Sequence, residues 1–360
     1  MTTHEATPSP LNSSAPLALA ERQAQDLKAV RERKMLLQHV TTQTPEICMA
    51  AVQVFGLALE HVKVPSPDIC MAAVMNDGDA LRFVALQTFE LCLAAVNQNG
   101  DALRLVKAPA PEILLAAVSQ DGHALSHIPE QTLELCLAAV RQNGYALQDV
   151  AVQTPAIQMA AVTRLGDALS RVIGQTDDVC MAAVTRDGNA LQWVGLQTPA
   201  LCKAAVEHCG KALQWVHGKT PELCRLAVEQ DGYALQHVEE QTPELCWAAV
   251  HQTGYALSQV NNQTLELCLK AVRQKGDSLR RVKVQTPEIC MAAVAQDPEV
   301  LEHVEVQTLT LCLVACRQKA ELIRYVTDPE LADLVRNALE AENQAGDPGE
   351  CQAHRPAAPH

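Results

Sequence analysis

Hydrophobic residues recur along this chain with a period of 22 residues, in thirteen near-copies between Gln43 and Val326. Gln241–Val260 shows the pattern, with Leu-Cys-x-Ala-Ala-Val in its first half and Gly-x-Ala-Leu-x-x-Val in its second. Both apolar sets follow helical spacing, so each defines one buried face of a short helix. The pattern therefore predicts an all-α fold, an α-solenoid of about thirteen 22-residue helix pairs.

Polar residues mark where each first helix begins and ends. A Thr such as Thr44 or Thr242 precedes Pro or a hydrophobe and then an acid. Thr is a good N-cap, Pro fits the first helical position, and the acid interacts favourably with the positive end of the helix dipole. About ten residues later comes a glycine such as Gly144 or Gly232, which predicts a left-handed C-terminal stop. Helices this short are marginal alone, so stacking has to stabilise them.

The limits of the periodic pattern predict the domain organisation. Residues 1–20 are rich in Ser, Thr, Pro and Ala and are predicted to be a disordered leader. Residues 21–42 form a degenerate, more polar N-terminal capping unit, as expected at the end of a repeat array. The array covers 43–326, a C-terminal capping helix covers 327–342, and 343–360 is predicted to be a disordered tail.

Composition narrows the range of partners and compartments. The net charge is −14, which argues against direct nucleic-acid binding, since phosphate contacts need clustered Lys and Arg. No window approaches the roughly 18 apolar residues of a membrane span, and no secretory signal is recognisable. We expect a cytoplasmic protein without membrane contact. The alternative is a secreted effector that acts inside a host cell.

Cysteine occupies one slot of the first helix in most units, and Leu114 and Gln158 replace it in two of them. Stacked helices lie about 8–10 Å apart, whereas a disulfide needs Cα atoms within about 7 Å. A ladder of disulfides is therefore excluded. The replacement by Leu114 indicates that these cysteines are small buried hydrophobes.

Two groups of His and Cys are candidate metal ligands. His123 and His127 are four residues apart and could share an ion, but the sequence assures no third ligand, and a solvated pair is favoured. A looser group has Cys202, His208, Cys209 and His217. We expect no metal and no cofactor. No phosphate loop, nucleophile elbow or zinc-protease motif is present, so we expect no enzymatic activity.

Departures from the repeat cluster in the units between residues 193 and 255. There the slot after Cys changes from Met or Leu to Lys or Arg, and all three Trp and two of four Tyr appear. Trp, Tyr and Arg are enriched in interface hot spots. A protein or peptide partner is therefore predicted, with neutral variation at exposed positions as the alternative. The predicted partner-binding residues are Trp193, Lys203, Trp215, Arg225, Tyr233, Trp247 and Tyr255.

The repeat core resembles an uncharacterised bacterial tandem-repeat family, domain of unknown function 4116. The resemblance rests on Ala138–Leu147 and Ala227–Leu235, which follow an Ala-Ala-Val-x-Gln-x-Gly-x-Ala-Leu pattern, and it extends over about 43–326. It implies helical repeats and carries over no catalytic residue. The expected function is thus that of a non-enzymatic scaffold that binds a protein or a peptide. The sequence does not indicate its oligomeric state.

A second function, of another class, is an acidic nucleic-acid mimic that sequesters a DNA-binding protein. Its basis is a row of acids at one slot of successive units. A role in stabilising the helix N-termini explains these acids equally well. They are Glu46, Asp68, Glu90, Glu112 and Glu134.

Overall fold

The computed structural model describes residues 14–33 and 36–345. Within these ranges the secondary structure consists of helices, with α-helices and 3-10 helices alternating along the chain. The chain divides into two compact units, Met1–Arg186 and Asp187–His360. The predicted all-α solenoid of 22-residue repeats is confirmed.

The first unit contains helices α1 to α8 and 3-10 helices η1 to η7. Their bounds are α1 Ser14–Arg31, η1 Leu37–His39, α2 Pro45–Val54, η2 Gly56–His61, α3 Pro67–Asn76, η3 Gly78–Phe83, α4 Phe89–Gln98, η4 Gly100–Leu105, α5 Pro111–Gln120, η5 Gly122–His127, α6 Leu133–Gln142, η6 Gly144–Asp149, α7 Pro155–Arg164, η7 Gly166–Arg171 and α8 Asp177–Arg186.

The second unit continues the alternation, from η8 to α15. Its bounds are η8 Gly188–Trp193, α9 Pro199–His208, η9 Gly210–Trp215, α10 Pro221–Gln230, η10 Gly232–His237, α11 Pro243–Gln252, η11 Gly254–Gln259, α12 Leu265–Gln274, η12 Gly276–Arg281, α13 Pro287–Gln296, η13 Pro298–His303, α14 Leu309–Gln318, η14 Ala320–Tyr325 and α15 Pro329–Ala345.

Each repeat is an α-helix followed by a six-residue 3-10 helix, so the second helix of the predicted pair has the tighter geometry. Helix α10 contacts α9 and α11 beside it and also packs on both η9 and η10. Successive 3-10 helices also contact each other. Within each unit this builds an α layer and a 3-10 layer, with the apolar core between them.

Small apolar side chains fill that core. In the repeat of α10, the buried residues include Cys224, Ala227 and Val228 from the α-helix and Ala234 and Leu235 from the 3-10 helix. The Ala slot, which is Ala227 in this repeat, is buried in every repeat of the array, so neighbouring helices can approach closely there.

The predicted helix starts are confirmed in most repeats. Thr242 has extended backbone angles, and its side-chain oxygen accepts a hydrogen bond from the Leu245 N–H at 3.3 Å. Pro243 takes the first helical position, where its missing N–H costs nothing. Such a cap stabilises a helix by about 1 kcal/mol. Helix α5 is an exception, because Ala110 at its N-cap offers no side-chain acceptor.

The predicted left-handed role of the repeat glycines is wrong. Helix α10 ends at Gln230, Asp231 continues in extended conformation with φ −143°, and Gly232 begins the next 3-10 helix. Among the described glycines, positive φ is found at Gly174, which lies outside the repeat slot. A Cβ on Gly232 would lie 2.6 Å from the carbonyl oxygen of Ala249 in the next α-helix. Glycine suits this slot because two backbones meet there, and Pro298 and Ala320 replace it in η13 and η14.

The ends of the chain differ in part from the predicted segments. Residues 1–13 of the predicted leader lie outside the described residues, and α1 already begins at Ser14. The good helix formers Leu and Ala that follow Pro16 account for this early start. Helix α15 runs to Ala345, and residues 346–360 of the predicted tail lie outside the described residues.

We predict that Gly232→Ala destabilises the protein by about 1–3 kcal/mol, because the added Cβ meets a backbone oxygen that cannot turn aside. The matched control is Gly218→Ala, where no atom lies within 4 Å of the added Cβ. That change should be neutral or stabilise by about 0.4–1 kcal/mol. Urea unfolding followed by circular dichroism measures both, and equal effects would contradict the close approach.

Ser278 provides a second prediction, since it replaces the usual Ala of its 3-10 slot. Its hydroxyl is buried, and no hydrogen-bond partner is found for it in the described chain. Ser278→Ala should therefore raise the free energy of unfolding by about 1 kcal/mol. Ser258→Ala is the control, because the exposed Ser258 hydroxyl donates to the Tyr255 carbonyl. Destabilisation by Ser278→Ala would show that the hydroxyl has an acceptor.

Candidate functional site

The seven predicted partner-binding residues all lie in the second unit, but they occupy both of its layers. One group sits at the fifth position of helices α9, α10 and α11 and comprises Lys203, Arg225 and Trp247. The other group lies on η8 to η11 and comprises Trp193, Trp215, Tyr233 and Tyr255. Exposed side chains of the two layers point away from the core between them. The structure therefore separates the predicted residues into two surfaces.

On the α layer, the two cations are already paired within their own helices. Lys203 Nζ lies 3.7 Å from Glu207 Oε1, and Arg225 donates to Glu229 Oε1 at 2.6 Å. Exposed pairs of this kind contribute a few tenths of a kcal/mol. Trp247, 46% exposed, is consequently the main unpaired anchor on this face.

The 3-10 layer carries an aromatic row, defined as Trp193, Trp215, Tyr233 and Tyr255. The two tryptophans end η8 and η9, and the two tyrosines take the second positions of η10 and η11. These four 3-10 helices contact each other in sequence, so the row crosses neighbouring repeats. Trp193 is 43% exposed, and the other three are half-buried.

Local hydrogen bonds and charges fix the surroundings of this row. Asp231 caps η10 by accepting from the Tyr233 N–H at 2.9 Å, and Lys211 Nζ lies 4.0 Å from the same carboxylate. Burial, and then the charge of Lys219, lower the pKa of His237. The Nε1–H of Trp215 is buried and has no acceptor in the described chain.

The His123 and His127 rings do not converge on a shared position. His123 Nδ1 lies 2.7 Å from Asp149 in the following 3-10 helix, whereas His127 Nε2 lies 2.7 Å from Asp101 in the preceding one. Hydrogen bonds from Arg104, and then from His127, hold the pKa of Asp101 below its usual value. Each ring thus links neighbouring repeats instead of standing as a solvated pair. No cluster of three or more metal-ligating side chains occurs in the described ranges.

The weaker group around Cys202 is also dispersed into structural roles. His208 Nδ1 accepts from the Gly188 N–H at 3.2 Å, and the Cys209 sulfur accepts a long contact from Asn189. The Cys202 thiol lies in the core and faces Gln197.

The cysteines of the repeat slot are buried, as predicted, and eight of them also donate a hydrogen bond that sequence reasoning missed. The Cys246 thiol donates to Gln241 Oε1 at 3.8 Å. Burial raises the pKa of this thiol and of the others in the slot, to about 11 for Cys312, so they remain protonated donors. The cysteine is therefore part of a polar contact as well as a core filler.

A glutamine in the connector, the segment between a 3-10 helix and the next α-helix, joins successive repeats. Gln241 Nε2 donates to the Gln259 carbonyl at 2.8 Å, and its Oε1 accepts from the Asn261 N–H at 2.9 Å. Both partners lie in or beside the next connector. The same two backbone contacts, 18 and 20 residues onward, are made by Gln43, Gln87, Gln131, Gln153, Gln197, Gln263, Gln285 and Gln307.

Three connectors lack this glutamine, with Pro65, Pro109 and Lys219 in its place. Open cavities border two of these positions, one lined by Pro109 and the other by Lys219. The sequence did carry this signal, as a Gln directly before Thr in most repeats. Its meaning depends on contacts about 20 residues away, which a single repeat does not reveal.

A second glutamine, at the end of the α-helix, supports the close glycine contact. Gln230 Oε1 accepts from the Gly210 N–H at 2.7 Å, and Gln252 Oε1 accepts from the Gly232 N–H at 3.2 Å. Each of these bonds reaches back into the preceding repeat. The glycine N–H, which the close approach of the backbones would otherwise leave unpaired, thus has a hydrogen-bond acceptor.

The connectors also expose large apolar side chains that the analysis of helix faces missed. Leu196 is 79% exposed and Val284 73% exposed in the second unit, and Val64 reaches 85% in the first. Exposed apolar residues that occur singly are common on protein surfaces, and these recur at one slot of the repeat. The corresponding residues are Val64, Leu86, Val152, Leu196, Val284 and Val306.

Among the described helices, none has both the length and the apolar character that a membrane span requires.

We predict that Gln241→Met lowers the free energy of unfolding by about 1–3 kcal/mol, since it keeps the length of the side chain but leaves the Gln259 carbonyl and the Asn261 N–H unpaired. Gln236→Met is the matched control, because Gln236 is exposed. Denaturant unfolding measures both variants. A loss no larger than that of the control would show that the connector bonds contribute nothing.

Comparison with known proteins adds one finding. No curated protein matches the chain at a significant level. The matching family model covers residues 111–151, from the start of α5 to the connector after η6, and so spans nearly two of the 22-residue repeats. Over those residues the chain matches the model of the domain of unknown function DUF4116, and the resemblance predicted from the repeat core is confirmed there.

Proposed function

We propose that this chain is a non-enzymatic scaffold that binds a protein or peptide partner through the aromatic row of its second unit. The observation that carries the proposal is the row itself. Four aromatic side chains lie on four successive 3-10 helices, in a protein whose residues are only 3% aromatic. Half-buried Trp and Tyr offer large contact area at a low cost in side-chain entropy.

The surroundings of the row support a protein partner over a nucleic acid. Carboxylates such as Asp187 and Asp231 cap the 3-10 helices beside the aromatic side chains, and Lys211 is already near one of them. This arrangement lacks the concentrated positive charge that phosphates require. A cytoplasmic location belongs to the same proposal, because the described cysteines are free thiols, which suit a reducing compartment.

The test compares three variants of the full chain as bait for partners, identified by mass spectrometry. Alanine at Trp193, Trp215, Tyr233 and Tyr255 should reduce the capture of any specific partner at least about tenfold, since one hot-spot residue contributes about 2 kcal/mol or more. Helicity, measured by circular dichroism, should remain unchanged.

Two matched variants assign the effect to the correct face. Alanine at Lys203, Arg225 and Trp247 removes the exposed side chains of the α layer. Tyr145→Ala removes an exposed tyrosine from the same 3-10 slot in the first unit. Both should retain capture. If the aromatic-row variant captures as well as the wild type, the proposed face is wrong; loss only in the α-layer variant would move the site to that layer.

A second candidate function is the acidic nucleic-acid mimic. Its support is that all five acids of the predicted row are exposed and lie in the first turns of consecutive helices α2 to α6. It predicts salt-sensitive competition with DNA for a basic protein, weakened by changing Glu90, Glu112 and Glu134 to Gln. Unaltered competition in that variant would remove this candidate.

A further inference from the structure

The connector at Lys219 interrupts the glutamine contacts of the second unit. On either side of it the contacts are complete. Gln197 Nε2 donates to the Trp215 carbonyl at 2.8 Å, and its Oε1 accepts from the His217 N–H at 3.1 Å and from the Cys202 thiol at 3.6 Å. Gln241 repeats this arrangement one repeat beyond the gap.

At the gap itself, the three groups that a glutamine would bind are still present. By the spacing of the repeat they are the carbonyl of His237, the N–H of Glu239 and the thiol of Cys224. In the described part of the chain, none of these three groups has a hydrogen-bond partner. Lys219, at the glutamine position, can donate a hydrogen bond but cannot accept one, so it cannot replace the carboxamide oxygen.

A cavity of about 370 Å³ opens at this place. Lys219, Cys224 and Glu239 line it, together with the apolar side chains of Val216, Val238 and Leu245. Cys224 and Glu239, which carry the unpartnered thiol and N–H, thus border this space, and its apolar walls can pack against a short aliphatic side chain.

We propose that this cavity binds a primary carboxamide, the group that ends a glutamine side chain, supplied by a peptide or by free glutamine. The carboxamide NH2 donates to the His237 carbonyl, and its oxygen accepts from the Glu239 N–H and the Cys224 thiol. The ligand thereby takes the position that the chain's own glutamine occupies in the neighbouring repeats. A carboxylate lacks the N–H donor and leaves the His237 carbonyl unpaired.

The connector at Pro109 lacks two of the three groups that the proposed ligand would contact. Its cavity, of about 530 Å³, is larger, but Pro129 stands where the N–H donor would be and Leu114 stands where the thiol would be. Proline has no backbone N–H, so only a carbonyl acceptor remains there. The Pro109 cavity is therefore a natural negative control within the same chain.

This inference is independent of the proposed function. The cavity lies among connector residues, and none of the four members of the aromatic row lines it. If the cavity does not bind a carboxamide, the proposal that the aromatic row binds a partner is unaffected. If the aromatic row does not bind a partner, the proposal for the cavity is likewise unaffected.

The experiment is a titration of the full-length, ¹⁵N-labelled protein with N-acetylglutamine methylamide, followed by the amide resonance of Glu239. We expect a saturable shift of this resonance, and no shift of the Leu114 amide at the Pro109 cavity. Free L-glutamine is titrated in parallel, and the tighter of the two ligands identifies the source. N-acetylglutamate methylamide should bind at least about tenfold more weakly, because one hydrogen bond is lost.

Two variants complete the test. Lys219→Gln supplies the chain's own carboxamide, so it should raise the melting temperature and weaken the binding of N-acetylglutamine methylamide at least about tenfold. Lys219→Ala leaves the cavity open and should bind N-acetylglutamine methylamide more tightly than Lys219→Gln does. The proposal is overturned by the absence of a saturable Glu239 shift in the wild type, by equal binding of the glutamate analogue, or by undiminished binding to Lys219→Gln.

Discussion

Close approach of neighbouring backbones is the constraint on which this structure depends. Most of the 3-10 helices begin with a glycine that lies against the carbonyl of the Ala slot in the next α-helix, and at Gly232 a Cβ would come within 2.6 Å of that oxygen. This distance explains why glycine starts the 3-10 helix and why alanine fills the facing slot. It also explains the thin core of Ala, Val, Leu and Cys, since larger side chains would force the layers apart.

Close approach creates a second requirement, because backbone donors and acceptors at the repeat junctions lose water and need other partners. Two glutamines meet this need in several repeats, as Gln241 and Gln252 do in one of them. Where the connector glutamine is replaced, at Lys219, the requirement is unmet and a cavity opens. A connector that departs from the regular glutamine contacts therefore has backbone groups that are available to a ligand.

Local chemistry explains what could be predicted from the sequence. The Thr242 cap, the Pro243 start and the burial of Cys246 depend on residues within one repeat, and the period of 22 residues gave the fold class. The 3-10 geometry of the second helix and the role of Gly232 could not be predicted from the sequence, because both depend on how one repeat packs against the next. The candidate site was found only in part. The change from the repeat consensus to aromatic residues pointed to Trp215 and Trp247. Their separation into two layers depends on how the repeats pack and is not visible in the sequence.

Native-state hydrogen exchange of the connector amides tests the central claim most directly, within one sample. The account predicts slow exchange at Lys63, His217 and Asn261, whose N–H groups donate to connector glutamines. It predicts fast exchange at Glu239, the equivalent position in the Lys219 gap, because local protection follows the hydrogen bond that must open. Equal protection of Glu239 and Asn261 would contradict the account, since it would show that the glutamine side chains do not hold the repeats together.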